Sequence, residues 1–197
     1  RGVDGVQEVL LEGGSILYWD QVKVPRAVDK LGIDVLFNPK YSIPLRAKCK
    51  TSWVCHGMDW YAMPQASEFL DRLSHRFLVP RYAAKADALI SVSDVTTDHL
   101  QKYLQVPRER IHTIYSGLSE SFRTRLPPAQ LEQIRQRFSL PPRFLLYCGA
   151  VYPPKNFTRL IQAYARVGPA QGVPLVIAGG SNRYLSEHEL EEPKRQN

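Results

Sequence analysis

The arrangement best suited to chemistry in this sequence is a run of eight residues, Gly149-Ala150-Val151-Tyr152-Pro153-Pro154-Lys155-Asn156. It follows a short apolar run, Phe144 to Cys148, and precedes a stretch in which Phe157, Leu160, Ile161, Tyr164 and Val167 recur at helical spacing. A strand, a tight loop and a helix in that order put unpaired backbone N–H groups and a positive dipole end beyond the carboxyl end of the strand, where phosphate binds in open α/β sheets. Gly149 lets a ligand approach the backbone, Pro153 and Pro154 stiffen the loop, and Lys155 adds a full positive charge. On spacing alone, a solvated lysine in a connecting loop is the simpler reading. His56 has a similar placement, after the run Ser52 to Cys55 and before Gly57. An imidazole at that end of a strand can donate to a phosphate or sugar oxygen, although a structural histidine is again simpler on position alone. His75, His99, His112 and His188 have weaker claims.

The elements that must position these residues alternate along the chain. Short apolar runs predict strands at Ile16–Trp19, Ile33–Phe37, Ser52–Cys55, Ala88–Val92, Ile111–Tyr115, Phe144–Cys148 and Leu175–Ala178. Near-continuous apolarity fits strands covered on both faces, so the pattern predicts a parallel α/β sheet. Phe69, Leu70, Leu73, Phe77 and Leu78 predict one apolar helix face, with a kink or break at Pro80. Ser93 or Asp94 is placed to cap the helix carrying Leu100, Tyr103 and Leu104, and Pro128 opens the helix carrying Leu131, Ile134 and Phe138. Ser186 with Glu189 reads as a capping box, and Pro193 cuts that helix short. Gly117, Pro127 and Pro128 mark a hinge. The expected organisation is a first domain at residues 1–115, a hinge with its helix at 116–142, and the N-terminal part of a second domain at 143–197.

Composition narrows the function. The 44% apolar and 23% charged content is that of a globular protein, and no apolar run approaches the ~20 residues needed to span a bilayer. The excess of 26 Lys and Arg over 19 Asp and Glu leaves +7. It is spread along the chain without a basic stripe, which argues against sequence-specific nucleic-acid binding and leaves a general attraction for anionic lipid or polyphosphate. Cys49, Cys55 and Cys148 form no C-x-x-C pair and read as reduced packing residues of a cytoplasmic protein. The signatures of dinucleotide-binding dehydrogenases, P-loop NTPases, esterases and zincins are absent. Asn156-Phe157-Thr158 spells a glycosylation acceptor, a chance match in a cytoplasmic protein.

Seven motifs in register resemble a family. Val24-Pro25-Arg26-Ala27 and Asp34-Val35-Leu36-Phe37-Asn38-Pro39 come first, followed by Val54-Cys55-His56-Gly57-Met58. Ala86-Asp87-Ala88-Leu89-Ile90-Ser91-Val92-Ser93 and Val106-Pro107-Arg108-Glu109-Arg110-Ile111 come next. Tyr115-Ser116-Gly117-Leu118 with Phe122, and Tyr147-Cys148-Gly149 through Pro154-Lys155-Asn156, complete the set. Together they resemble family four of the nucleotide-sugar glycosyltransferases. The resemblance implies a GT-B-like fold, with one Rossmann-like parallel-sheet domain followed by the truncated start of a second.

It also implies transfer of a hexose, mannose by analogy, from a nucleotide-sugar donor to a saccharide or lipid-linked acceptor, with retention and without a metal or resident cofactor. Such chemistry belongs to polysaccharide biosynthesis in the cytoplasm, with peripheral contact at the inner face of the membrane. Under the resemblance, His56 is the catalytic-side residue facing the transferred sugar, and Gly149, Lys155 and Asn156 bind the nucleotide sugar, Lys155 neutralising the departing diphosphate. The sequence departs from the pattern in three places. Gly57 stands where the family carries Asp, with Asp59 two residues on; Pro154 and Ala150 occupy the positions of the usual arginine; and no Glu is followed by another eight positions later. The expectation is therefore a piece incomplete at both ends and inactive by itself. The alternative is a non-catalytic α/β module that binds a polyanion or a partner protein with the same residues.

Overall fold

The computed structural model describes residues 5–39, 42–64, 69–151 and 153–179. It divides into two compact units, Arg1–Gly117 and Leu118–Asn197.

In the first unit, α1 (Ile16–Tyr18), a π-helical turn (Trp19–Lys23) and α2 (Val24–Leu31) run on without a break. The predicted strand at Ile16–Trp19 is therefore helical. Ser15 starts it by accepting a hydrogen bond from the Tyr18 N–H, so local capping overrides the β-preference of the apolar run. Gly32, in the left-handed conformation, ends α2 and turns the chain into β1 (Val35–Asn38). There follow β2 (Lys50–Cys55), α3 (Asp59–Ala62), α4 (Phe69–Lys85), β3 (Ala88–Ser91), α5 (Asp94–Leu104) and β4 (Ile111–Thr113). The strands form one parallel sheet in the order β1-β2-β3-β4, with Phe37 opposite Ser52, Val54 opposite Ile90 and Leu89 opposite Ile111. Since parallel strands need crossovers, α3 and α4 link β2 to β3, and α5 links β3 to β4. All four carboxyl ends lie on one edge of this sheet.

The core of this unit gathers Ile43, Trp53, Met58, Leu89 and Leu100 around the part of α4 that carries Val79, Tyr82 and Ala83. Helix α4 continues through Pro80 rather than breaking there. A proline inside a helix costs about 3 kcal/mol, and burying side chains the size of Val79 and Tyr82 returns about 1.5–3 kcal/mol each. Packing therefore outweighs the lost hydrogen bond. Most of the predicted apolar face of α4 is not its buried face: Phe69, Leu70, Leu73 and Phe77 are exposed, and of the five residues only Leu78 packs against the core.

At the amino ends of the strands, Asp87 accepts from the Lys50 ammonium at 2.8 Å and from the Thr51 N–H at 2.8 Å. The Lys50 hydrogen bond and the Thr51 N–H hold its carboxyl down at about 2. A carboxyl lowered on folding stabilises the native state above its unfolded range near 4, and the contribution fades as pH falls toward 2. Asp87→Asn should accordingly lower Tm at pH 7, and thermal melts should show the gap to wild type closing between pH 4 and 2.

In the second unit, α6 (Pro128–Arg137) starts on proline as expected and precedes β5 (Leu145–Cys148), α7 (Phe157–Val167) and β6 (Leu175–Ala178). Strands β5 and β6 pair in parallel, with Tyr147 opposite Ile177. Phe157 and Ile161 of α7 pack with Val151, Tyr147, Leu160 and Leu175. The capping box at Ser186 and Glu189, and Pro193, lie outside the described residues. Of the three cysteines only Cys55 is buried; Cys49 is half-buried and Cys148 exposed, so the packing role assigned to all three applies to Cys55 alone.

Candidate functional site

His56 is the first residue beyond β2 and is exposed. Its Nε2 lies 2.9 Å from the carbonyl oxygen of Pro39, the residue following β1. A carbonyl only accepts, so Nε2 carries the hydrogen, and in the neutral tautomer this selects, Nδ1 is the nitrogen without one. Two neighbouring strand ends thus fix both the tautomer and the orientation of the imidazole. Cys55, next to it, is no rival nucleophile: burial pushes its thiol up to about 11, so it stays protonated at neutral pH. Asp59, offset from the position held by Gly57, is exposed in the first turn of α3.

The same edge holds a cluster that sequence reading missed. The Ser91 and Thr97 hydroxyls are 2.6 Å apart, and Thr97 and Thr113 are 2.9 Å apart, joining β3, α5 and β4 through side chains. Ser93 caps α5 by accepting from the Thr96 N–H at 3.2 Å. Tyr115 donates to the Asp94 carboxylate, which raises the phenol above its ordinary range. The cap was legible; the hydroxyl cluster was not, since it joins residues six to twenty-two positions apart.

In the second unit, Gly149 leaves β5 with φ of 149°, a conformation that L side chains rarely adopt, and its N–H donates to the Ala178 carbonyl at 2.9 Å. The Tyr147 hydroxyl donates to the Ala150 carbonyl at 2.8 Å, while the Tyr147 ring meets the edge of Phe157 at 5.3 Å. A 3₁₀ turn, Pro153–Lys155, leads to Asn156 in the left-handed conformation and then into α7. Asn156 is exposed, and its side chain does not cap α7. Lys155 is exposed at the end of the turn, immediately before the helix start. Gly149, Lys155 and Asn156 therefore belong to one β-to-α loop, and His56 belongs to the other unit. Among the described residues no group of His, Cys, Asp and Glu could hold a metal ion.

Gly179 is a further residue that sequence reading missed. A Cβ added there would lie 1.9 Å from the Gly149 carbonyl oxygen, so the exits of β5 and β6 touch backbone to backbone. The Gly179-Gly180 doublet after the last apolar run was the available signal. Gly179→Ala should shift the Gly149 loop and lower Tm. Gly117→Ala, where a Cβ meets nothing within 4 Å, should leave Tm nearly unchanged; equal melting temperatures for the two variants would count against the contact.

This α/β architecture matches about half the length of solved GT-B glycosyltransferase structures. It matches a glycosyltransferase from Rickettsia africae with a TM-score of 0.60 and 12% identity, covering 95% of this chain and 50% of that one. It also matches Anabaena Alr3699/HepE, solved in complex with UDP-glucose, with a TM-score of 0.61 and 16% identity, over 88% and 46% of the two chains. The sequence profile of Glycosyltransferase Family 4 matches residues 2–122, and the chain belongs to that family. The serotype-specific mannosyltransferase WbdA of Escherichia coli is 27% identical over 147 residues, which are 71% of this chain and 17% of WbdA. The chain thus spans about half the length of the solved structures and a smaller part of this curated relative.

Proposed function

We propose that the protein carrying this chain transfers a hexose, mannose in the first instance, from a nucleotide sugar to a saccharide or lipid-linked acceptor in the cytoplasm, with retention and without a metal. Mannose rests on the similarity to WbdA; a nucleotide-sugar donor is supported by the family and by the UDP-glucose complex of a structural relative. The observation that carries the reading is the second-unit loop, with Gly149 at the strand exit in a conformation that other residues rarely adopt and Lys155 exposed beside the start of α7.

When the bond from the sugar to the diphosphate breaks, negative charge develops on the leaving phosphate. The Lys155 ammonium neutralises that charge as it forms, and the backbone N–H groups at the start of α7 add the positive end of a helix dipole. Gly149 leaves room for the phosphate against the backbone, and Asn156 holds the left-handed turn that aims the helix. His56, oriented by Pro39, is assigned to the transferred sugar as a hydrogen-bond partner. Transfer by the whole protein can be followed as release of nucleoside diphosphate from GDP-mannose and UDP-glucose in the presence of EDTA. Release from at least one donor, unaffected by chelation, is expected. Release from neither donor contradicts the reading, and release abolished by EDTA contradicts its metal independence.

A further inference from the structure

The turn that follows β2 carries a carboxylate that the proposed reaction leaves unused. Met58, fully buried, anchors this turn, and its carbonyl accepts from the Tyr61 and Ala62 N–H groups at 3.0 Å to start α3. Trp60 stacks on His75 at 4.2 Å, while Tyr61 stacks on Tyr103 at 5.7 Å and donates to the His75 carbonyl. With these three side chains held against the first unit, Asp59 is left exposed, three positions after His56. A Cβ added to Gly57 would lie 3.7 Å from Asp59 Oδ1 and, among the described residues beyond its chain neighbours, within 4 Å of nothing else. The carboxylate thus occupies the space beside residue 57, next to the imidazole. The Cys55 thiol, raised first by its burial, is raised further by the Asp59 charge, so that charge lies close to the end of β2.

An ionised carboxylate only accepts hydrogen bonds, and in the neutral tautomer of His56 the nitrogen left over from the Pro39 contact has no hydrogen to donate. Two acceptors side by side suit a group rich in hydroxyl donors, and the negative charge disfavours a phosphate at this point. We propose that Asp59 is a specificity-determining residue whose carboxylate accepts hydrogen bonds from hydroxyls of the sugar that His56 meets. The inference rests on the hexose-transfer reading and divides its contacts: Asp59 recognises the sugar, and Lys155 the diphosphate. Gly57 is what makes the arrangement possible, since a larger side chain there would compete with Asp59 for the same space. Its backbone is outside the left-handed region, so a side chain can be placed at residue 57 without strain.

The test is calorimetry of the whole protein with GDP-mannose and UDP-glucose, beside GDP and UDP, together with the rate of nucleoside diphosphate release. Asp59→Asn should weaken binding of the sugar nucleotide that wild type prefers by about tenfold or more, the scale of one charged hydrogen bond. Affinity for GDP and UDP, which lack the sugar, should stay unchanged, and kcat/KM for release should fall by at least the same factor. Adding Gly57→Asp to Asp59→Asn returns a carboxylate to the same space and should recover most of the loss. Asp98→Asn removes an equal charge from the exposed side of α5 and should leave both readouts nearly unchanged. Equal sugar-nucleotide affinity in wild type and Asp59→Asn would overturn the assignment. So would an equal loss for GDP and UDP, or a double variant without recovery. A wild type that binds neither sugar nucleotide would contradict the hexose-transfer reading itself and remove this assignment with it.

Discussion

Lys155→Ala, introduced into the whole protein, should lower kcat/KM for sugar transfer by about 10²–10³-fold, the usual cost of removing one preorganised electrostatic contact to developing charge. The expectation follows from placement. Lys155 ends the 3₁₀ turn before α7 and is exposed, and the positions where the family usually carries an arginine hold Pro154 and Ala150. With that arginine missing, more of the leaving-group charge falls to this ammonium and to the backbone at the start of α7. The loss should appear in kcat as well as in KM, because the charge on the leaving phosphate is larger in the transition state than in the bound donor. Lys155→Arg, which keeps the charge on a differently shaped group, should recover part of the rate. Steady-state kinetics with a saturating acceptor separates these outcomes. A variant with unchanged kcat/KM would remove the role assigned to Lys155.

The largest effect on stability should come from Trp53→Ala, at about 3–5 kcal/mol. Trp53 lies fully buried on β2, the strand that pairs with β1 and β3 and ends at His56. Its ring meets Tyr82 of α4 edge-on at 6.4 Å, tying the sheet to the helix that covers it. Its indole Nε1 has no hydrogen-bond partner among the described residues. Trp53→Phe therefore removes no hydrogen bond and should cost much less than the alanine change. Since a domain of this kind has only about 5–15 kcal/mol in hand, the alanine variant should show a large drop in the urea midpoint. Comparing the m-values in the same titration establishes whether the change lies in stability or in the compactness of the denatured state.

How much of this was readable in advance depended on the range of the interaction responsible. β6 occupies Leu175–Ala178, the residues its apolar run marked, and Ser93 caps α5 through a bond to the Thr96 N–H three residues on. Those are local facts of run length and side-chain reach. The outer face of α4 failed because periodicity identifies a stripe without saying what covers it. Phe69, Leu73 and Phe77 have the right spacing, yet the core took Val79, Tyr82 and Ala83. Ile16–Trp19 misled because an apolar run of that length suits a strand or a helix, and the Ser15 cap decided between them.

The candidate site divides in the same way. The order of strand, glycine loop, lysine and helix was visible, and so was His56 at a strand end. Its tautomer was not, because Pro39 lies seventeen residues away and is brought close only by the pairing of β1 with β2. The same applies to Gly179, whose necessity comes from the Gly149 carbonyl thirty residues earlier.

The most direct test of the account is isothermal calorimetry of GDP and UDP binding to the whole protein, with wild type and Lys155→Ala compared in the same buffer. The loop of Gly149, Lys155 and Asn156 predicts measurable affinity for at least one nucleotide in wild type, weakened about tenfold or more in the variant, the scale of losing one charged hydrogen bond. Equal affinity in the two proteins would contradict it.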